Sequence, residues 1–154
     1  MSRVAKAAIA FALVSAAASL LRRLNHSGDS EQVLREYYEA LSGGDADAVR
    51  DLLTDDYAGH VHTFSGTEDQ DARALAKRIK SHKASFEKIN YDVEDVVCHN
   101  GEVAARLTMR ARHKESGKKA KTTGLAILRI EDGKIAEEWS SWDYHGLAAQ
   151  LGLE

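Results

Sequence analysis

Residues 91–143 read YDVEDVVCHNGEVAARLTMRARHKESGKKAKTTGLAILRIEDGKIAEEWSSWD, and the apolar period in this stretch is two. Such alternation marks half-buried strands, because successive side chains point to opposite faces. Residues 91–97 make a first strand, and Asn100-Gly101 behind it is a strong hairpin turn. Residues 103–113 make a second, with Val103, Ala105, Leu107, Met109, Ala111 and His113 on one face. A charged loop around Gly117 leads to a third strand at 122–130. Glu131-Asp132-Gly133-Lys134 is another hairpin turn, and a fourth strand runs from 135 to 143. The stretch predicts an antiparallel meander with a short tail at 147–153.

Upstream the period turns helical. Val33, Leu34, Tyr37, Tyr38 and Leu41 form one stripe, with Ser30 as N-cap and Gly43-Gly44 as terminator. Asp45 caps a second helix that turns Val49, Leu52 and Leu53 inward, and 55–62 reads as a turn into a short strand. Thr67 and Gln70 read as a capping box ahead of a third helix, with Leu75, Ile79, His82 and Phe86 as its buried stripe. Its lysines and Arg78 lie mostly elsewhere, as a solvated face. Three helices followed by a meander predict an α+β domain. A strongly curved, mostly antiparallel sheet closed by these helices makes a cone with an apolar pocket.

The chain has 154 residues, room for one domain over 27–154. Its net charge of −3 hides an asymmetry: residues 1–24 carry four basic groups and no acid, and the remainder holds 17 basic against 24 acidic groups. An acidic body disfavours phosphate-backbone binding, so nucleic acid is not an expected partner. The single cysteine, Cys98, excludes an internal disulfide framework and reads as an inert thiol. Proline is absent, although roughly seven would be expected at about 5% usage. Residues 7–21, AAIAFALVSAAASLL, follow Arg3 and Lys6, so 1–26 reads as a signal-like or anchor segment. That reading places the chain outside the cytoplasm or on a membrane, which it touches only through 7–21. Arg22 and Arg23 resist translocation, and a cytoplasmic chain with an Ala-rich helix is the alternative.

Three stretches in order, YYEALSGGDADAVRDLLTDDYAGH (37–60), SFEKINYDVEDV (85–96) and ILRIEDGKIAEEWSSWDYHGLAAQLGL (127–153), resemble the SnoaL-like polyketide cyclase family of the nuclear-transport-factor-two-like superfamily. The resemblance spans about residues 31–153 and is most specific at the ending. It implies the cone-shaped fold, a homodimer paired through the outer face of the sheet, and a small apolar carbonyl ligand. The family's cyclases close a ring by an intramolecular aldol reaction without cofactor, with an aspartate as acid and base. Motif position puts that aspartate at Asp143, the family histidine at His60 and the first-helix tyrosine at Tyr37. Prolines usual after that histidine and between the second and third strands are missing here, and the latter loop, HKESGKKAKT, is lysine-rich.

Read from the residues, Asp143 stands at even spacing from Ile135, Glu137, Trp139 and Ser141, at the end of an apolar strand face. A desolvated carboxylate there makes a useful base, with Tyr37, His60 or His62 as donor to an enolate oxygen. Alternatively, Asp143 only caps the turn begun by Tyr144-His145-Gly146. His60 and His62 share a strand face and also suit a metal with His113 or His82 and Glu137, but no metal is assigned. His62, His113 and Trp139 are expected at the pocket, Arg106 is expected to pair with an acid such as Glu138, and His82 reads as structural. The preferred function is cofactor-free cyclisation or isomerisation. A non-catalytic binding or interaction module, or an isomerase or epoxide hydrolase, is the alternative on the same fold.

Overall fold

The computed structural model describes residues 29–152, so the signal-like segment expected at 1–26 lies outside the described residues. Helix α1 (29–43) and α2 (Ala46–Asp51) lead into β1 (Leu53–Thr63) and β2 (Gly66–Gln70). Then come α3 (Ala72–Ser85), β3 (Phe86–His99), β4 (Glu102–His113), β5 (Lys119–Glu131), β6 (Lys134–Trp142) and α4 (Tyr144–Leu151). The strands form one curved, unclosed sheet in the order β2-β1-β6-β5-β4-β3. Only β1 and β6 run parallel; the other neighbours are antiparallel. The α+β class holds, with a fourth helix where a short tail was expected.

Both hairpin turns fall where expected. Asn100 and Gly101 take φ of 49° and 82°, Asp132 and Gly133 48° and 78°, the left-handed pair a two-residue hairpin requires. On β4, Val103, Ala105, Leu107, Met109 and Ala111 are all buried, so that strand keeps its period along the inner face. Leu34, Tyr37, Tyr38 and Leu75 from α1 and α3 pack with Val103, Leu107 and Leu128 to make the core. Among the described residues no helix is long and apolar enough to cross a membrane.

The capping box at Thr67 and Gln70 is not formed, because both belong to β2, which pairs with β1. Asp71 caps α3 instead, its carboxylate accepting the Ala74 N–H at 2.7 Å. A second departure matters more. Arg129 faces Glu137 across the β5–β6 ladder, yet the next residue, Ile130, faces Ile135, so Ala136 is an extra residue on β6. Such a bulge shifts the strand by one and exchanges its faces. Ile135 points inward, and beyond the bulge Glu138, Ser140 and Trp142 point inward, while Glu137, Trp139 and Ser141 face out.

Candidate active site

The inner face of β6, the stripe of α3 and the start of α4 enclose a mainly apolar cavity. Trp142, Tyr91, Phe86, Ile79, Met109 and Leu147 make its apolar wall. Trp142 lies over Gly124 on β5, where a Cβ would come within 2.5 Å of the indole, so only glycine leaves room for this wall. The cavity measures about 60 Å³. That is less than the roughly 150 Å³ known to hold benzene, so a ring-sized ligand enters only as wall side chains turn aside.

Polar groups gather along one side. Glu138 is 2% exposed, and its Oε2 accepts hydrogen bonds from the Tyr37 and Tyr57 hydroxyls, each at 2.8 Å. Burial, then the charge of Glu138, holds both hydroxyls far above their ordinary pKa, so they remain donors. Burial likewise pushes Tyr91 up to about 12. Among the described residues the buried Tyr38 hydroxyl has no hydrogen-bond partner, and Tyr38 lines the cavity.

Arg78 and His82, one turn apart on α3, complete this polar side. Burial opposes the charge on Arg78, yet the field of Glu138 and nearby tyrosines outweighs it and raises the pKa. Burial, and then the Arg78 charge, lowers the pKa of His82, so its ring is neutral at pH 7. Among the described residues, neither side chain has a hydrogen bond or ion pair. Together with Tyr144 they also line an outer cleft of about 380 Å³ between α3 and the β1–β2 hairpin, and so form the partition between the two spaces.

The residues expected from sequence are dispersed around this cavity. Asp143 is exposed and caps α4, its Oδ1 accepting the Gly146 N–H at 2.8 Å, although its neighbours Trp142 and Tyr144 both line the cavity. Tyr37 is fully buried on Glu138. His60 bridges Asp69 (2.7 Å) and Glu137 (3.0 Å), whose hydrogen bonds raise its pKa, and stacks on Trp139 at 5.5 Å. The bulge puts Trp139 on the outer side of the sheet, where His60, its partner in register on β1, also lies. His62 is exposed beside Thr67, and His113 contacts Ser116 at 2.9 Å and the Phe86 ring at 5.4 Å. Arg106 pairs with Asp95 at 2.7 Å, not with Glu138, because those two acids lie on opposite faces. Among the described residues no cluster of three or more His, Cys, Asp or Glu could hold a metal.

Sequence reasoning missed Glu138, Arg78 and the cavity position of His82. For the α3 pair the available signal was their spacing: two polar residues four apart beside the Leu75–Ile79 stripe. For Glu138 there was no local signal, since the bulge leaves none in the alternation.

Comparison with known structures agrees with this architecture. IdmH from Streptomyces antibioticus, described as a candidate polyketide cyclase, superposes with a TM-score of 0.72 at 26% identity, over 80% of this chain and 98% of its own. A candidate polyketide cyclase from Bacillus cereus gives 0.72 at 24% identity, over 81% of each chain. An epoxide hydrolase of the LEH-like type from M. tuberculosis gives 0.66 at 14% identity, over 82% of this chain and 92% of its own, a likeness of fold alone. No curated protein matches the sequence. The model of the SnoaL-like polyketide cyclases matches residues 31–151. With that match over most of its length, the chain belongs to the SnoaL-like polyketide cyclase family.

Proposed function

We propose that this protein binds a small, largely apolar carbonyl compound in the cavity and moves a proton on it, as an aldol-type cyclase or an isomerase that uses its own side chains. The observation that carries the reading is the make-up of the cavity. An aromatic and aliphatic wall meets a neutral imidazole and a guanidinium along one side. Removing a proton beside a carbonyl needs a base near neutrality and a donor for the enolate oxygen, both shielded from water. Asp143, at the family's aspartate position, is one candidate base. Ligand binding without chemistry is the second reading, favoured by the engagement of the Asp143 carboxylate as a helix cap.

Deuterium exchange at the α-carbon of ketones tests the choice, with binding followed through the fluorescence of Trp142 in the cavity wall. Saturable quenching with exchange above the buffer rate supports the enzyme. Saturable quenching without exchange leaves a binding module. No quenching with any apolar ketone removes the carbonyl ligand altogether.

A further inference from the structure

We propose that His82 is the proton acceptor of this site and Arg78 the group that binds the carbonyl oxygen, and that the substrate is an elongated ketone spanning the cavity and the outer cleft. The assignment rests on the carbonyl reading above and names its machinery.

Position argues first. Arg78, His82 and Tyr144 alone border both the apolar cavity and the cleft lined by Glu68, Asp69 and Ser81. A cavity of about 60 Å³ takes only a few atoms, whereas the cleft, with Glu68, Asp69, Gln70 and Lys77 on its wall, adds about 380 Å³. A ligand with an apolar end inside and a polar end outside therefore carries its middle past the partition. A carbonyl there meets donors and acceptors that no side chain among the described residues occupies. Both side chains are half-buried at the partition, and among the described residues neither has a hydrogen bond or ion pair, so their polar groups are available to a ligand. Glu138 borders the cavity but not the cleft, and its Oε2 already accepts from Tyr37 and Tyr57, so it lies off the partition that the carbonyl would cross.

The chemistry follows from their pairing at one helical turn. His82 takes a proton from the carbon beside the carbonyl; the C–H electron pair forms the new C=C bond, and the π pair of the broken C=O double bond moves onto the oxygen. The resulting enolate oxygen faces the Arg78 guanidinium. Return of the proton to the same carbon gives exchange, and return to a conjugated carbon gives an isomer. Attack of the enolate carbon on a second carbonyl of the same molecule, with the His82 proton passing to the new alkoxide, closes a ring.

The test is exchange into 4-phenylbutan-2-one, an open-chain ketone with an apolar end, in deuterated buffer, followed by proton NMR. The wild type should exchange the α-protons saturably. His82→Gln should lower the maximal rate by roughly a hundredfold or more, with little change in half-saturation. Arg78→Met should lose a similar factor, as a missing oxyanion donor does, and Arg78→Lys should recover part of it. A purely structural role would not move the pH profile. In the wild type the rate should level off at a pH below the ordinary histidine range. In Arg78→Met that acid limb should move up, because the charge that lowers His82 is gone. Tyr38, Tyr91, Glu138 and Tyr144 share the cavity wall, and Glu68, Asp69 and Lys77 the cleft wall, and all are unchanged in that comparison. The two profiles decide the matter even if His82→Gln does not fold. Full-rate exchange in a folded His82→Gln overturns the assignment while the carbonyl reading stands. So does loss of exchange in a folded Asp143→Asn while His82→Gln still exchanges, which moves the base to Asp143. A wild type that does not accelerate exchange overturns both.

Discussion

Replacing Glu138 tests whether the polar floor of the cavity is also a keystone of the fold. Both tyrosine hydroxyls donate to one oxygen of a side chain that is 2% exposed, so neither has water to turn to. Glu138→Leu strands two buried donors at about 1–3 kcal/mol each, or about 2–6 kcal/mol together. It also removes the negative charge that holds Arg78 on, which adds to the loss. Better packing of the leucine offsets part of this, leaving an expected loss of about 3 kcal/mol. Glu138→Gln keeps an oxygen with two lone pairs and forfeits only charge assistance, so about 1–2 kcal/mol is expected. Urea unfolding gives both values, and the melting temperature should fall by roughly 3–5 °C per kcal/mol. Adding Tyr37→Phe and Tyr57→Phe to Glu138→Leu removes the stranded donors and should restore part of the loss, since deleting both partners of a buried bond is nearly neutral. Equal losses for Leu and Gln, or no recovery in the triple variant, would refute the argument.

Three further outcomes are expected. Asp143→Asn should leave the melting temperature within error, because Asn caps a helix as well as Asp, whereas Asp143→Ala should cost about 0.5–2 kcal/mol in chemical denaturation. His60 has its pKa raised by Asp69 and then Glu137, so its pairing stabilises the fold below the ordinary histidine value and fades as pH rises through the folded-state value. The gap in melting temperature between wild type and His60→Gln should therefore be larger near about pH 6 than near about pH 9. Leu125 and Ile127, 62% and 45% exposed on the outer face of β5, should pair two copies of the chain. Light scattering should give a dimer mass for the wild type and a monomer mass for Leu125→Glu; a wild-type monomer at micromolar concentration would exclude the pairing.

The alternation of β4 and the Asn-Gly and Asp-Gly turns made the meander legible, because period and turn chemistry are local properties. Strand β2 was not legible. Thr67 and Gln70 satisfy a capping rule as well as a strand, and only pairing with β1 decides between them. The site was harder still. Ala136 is an unremarkable residue, yet as the bulge it exchanges Glu137 and Trp139 for Glu138 and Trp142 on the inner face. Whether an extra residue is accommodated at 136 depends on how β5 and the first residues of β6 pack, which no stretch of β6 reveals alone. His82 looked structural because its stripe is apolar; the cavity it borders exists only once α4 and β6 are in place.

An unclosed sheet has two free margins, and they bear on how the protein behaves when crowded. A 14-residue strand such as β3 is long enough to template another chain's backbone and begin fibrous stacking. Its register breaks twice, between Glu87 and Asn90 and between Val93 and Asp95, and Lys88 takes a left-handed backbone at φ 52° within the first break. Asp92, Glu94 and Asp95 add charged side chains along the same stretch, Asp92 and Asp95 paired with Arg110 and Arg106 of β4. The opposite margin, β2, is only five residues long and carries Glu68 and Asp69. Neither rim offers an incoming strand a straight, neutral run of donors and acceptors, so the open sheet resists aggregation without having to close into a barrel.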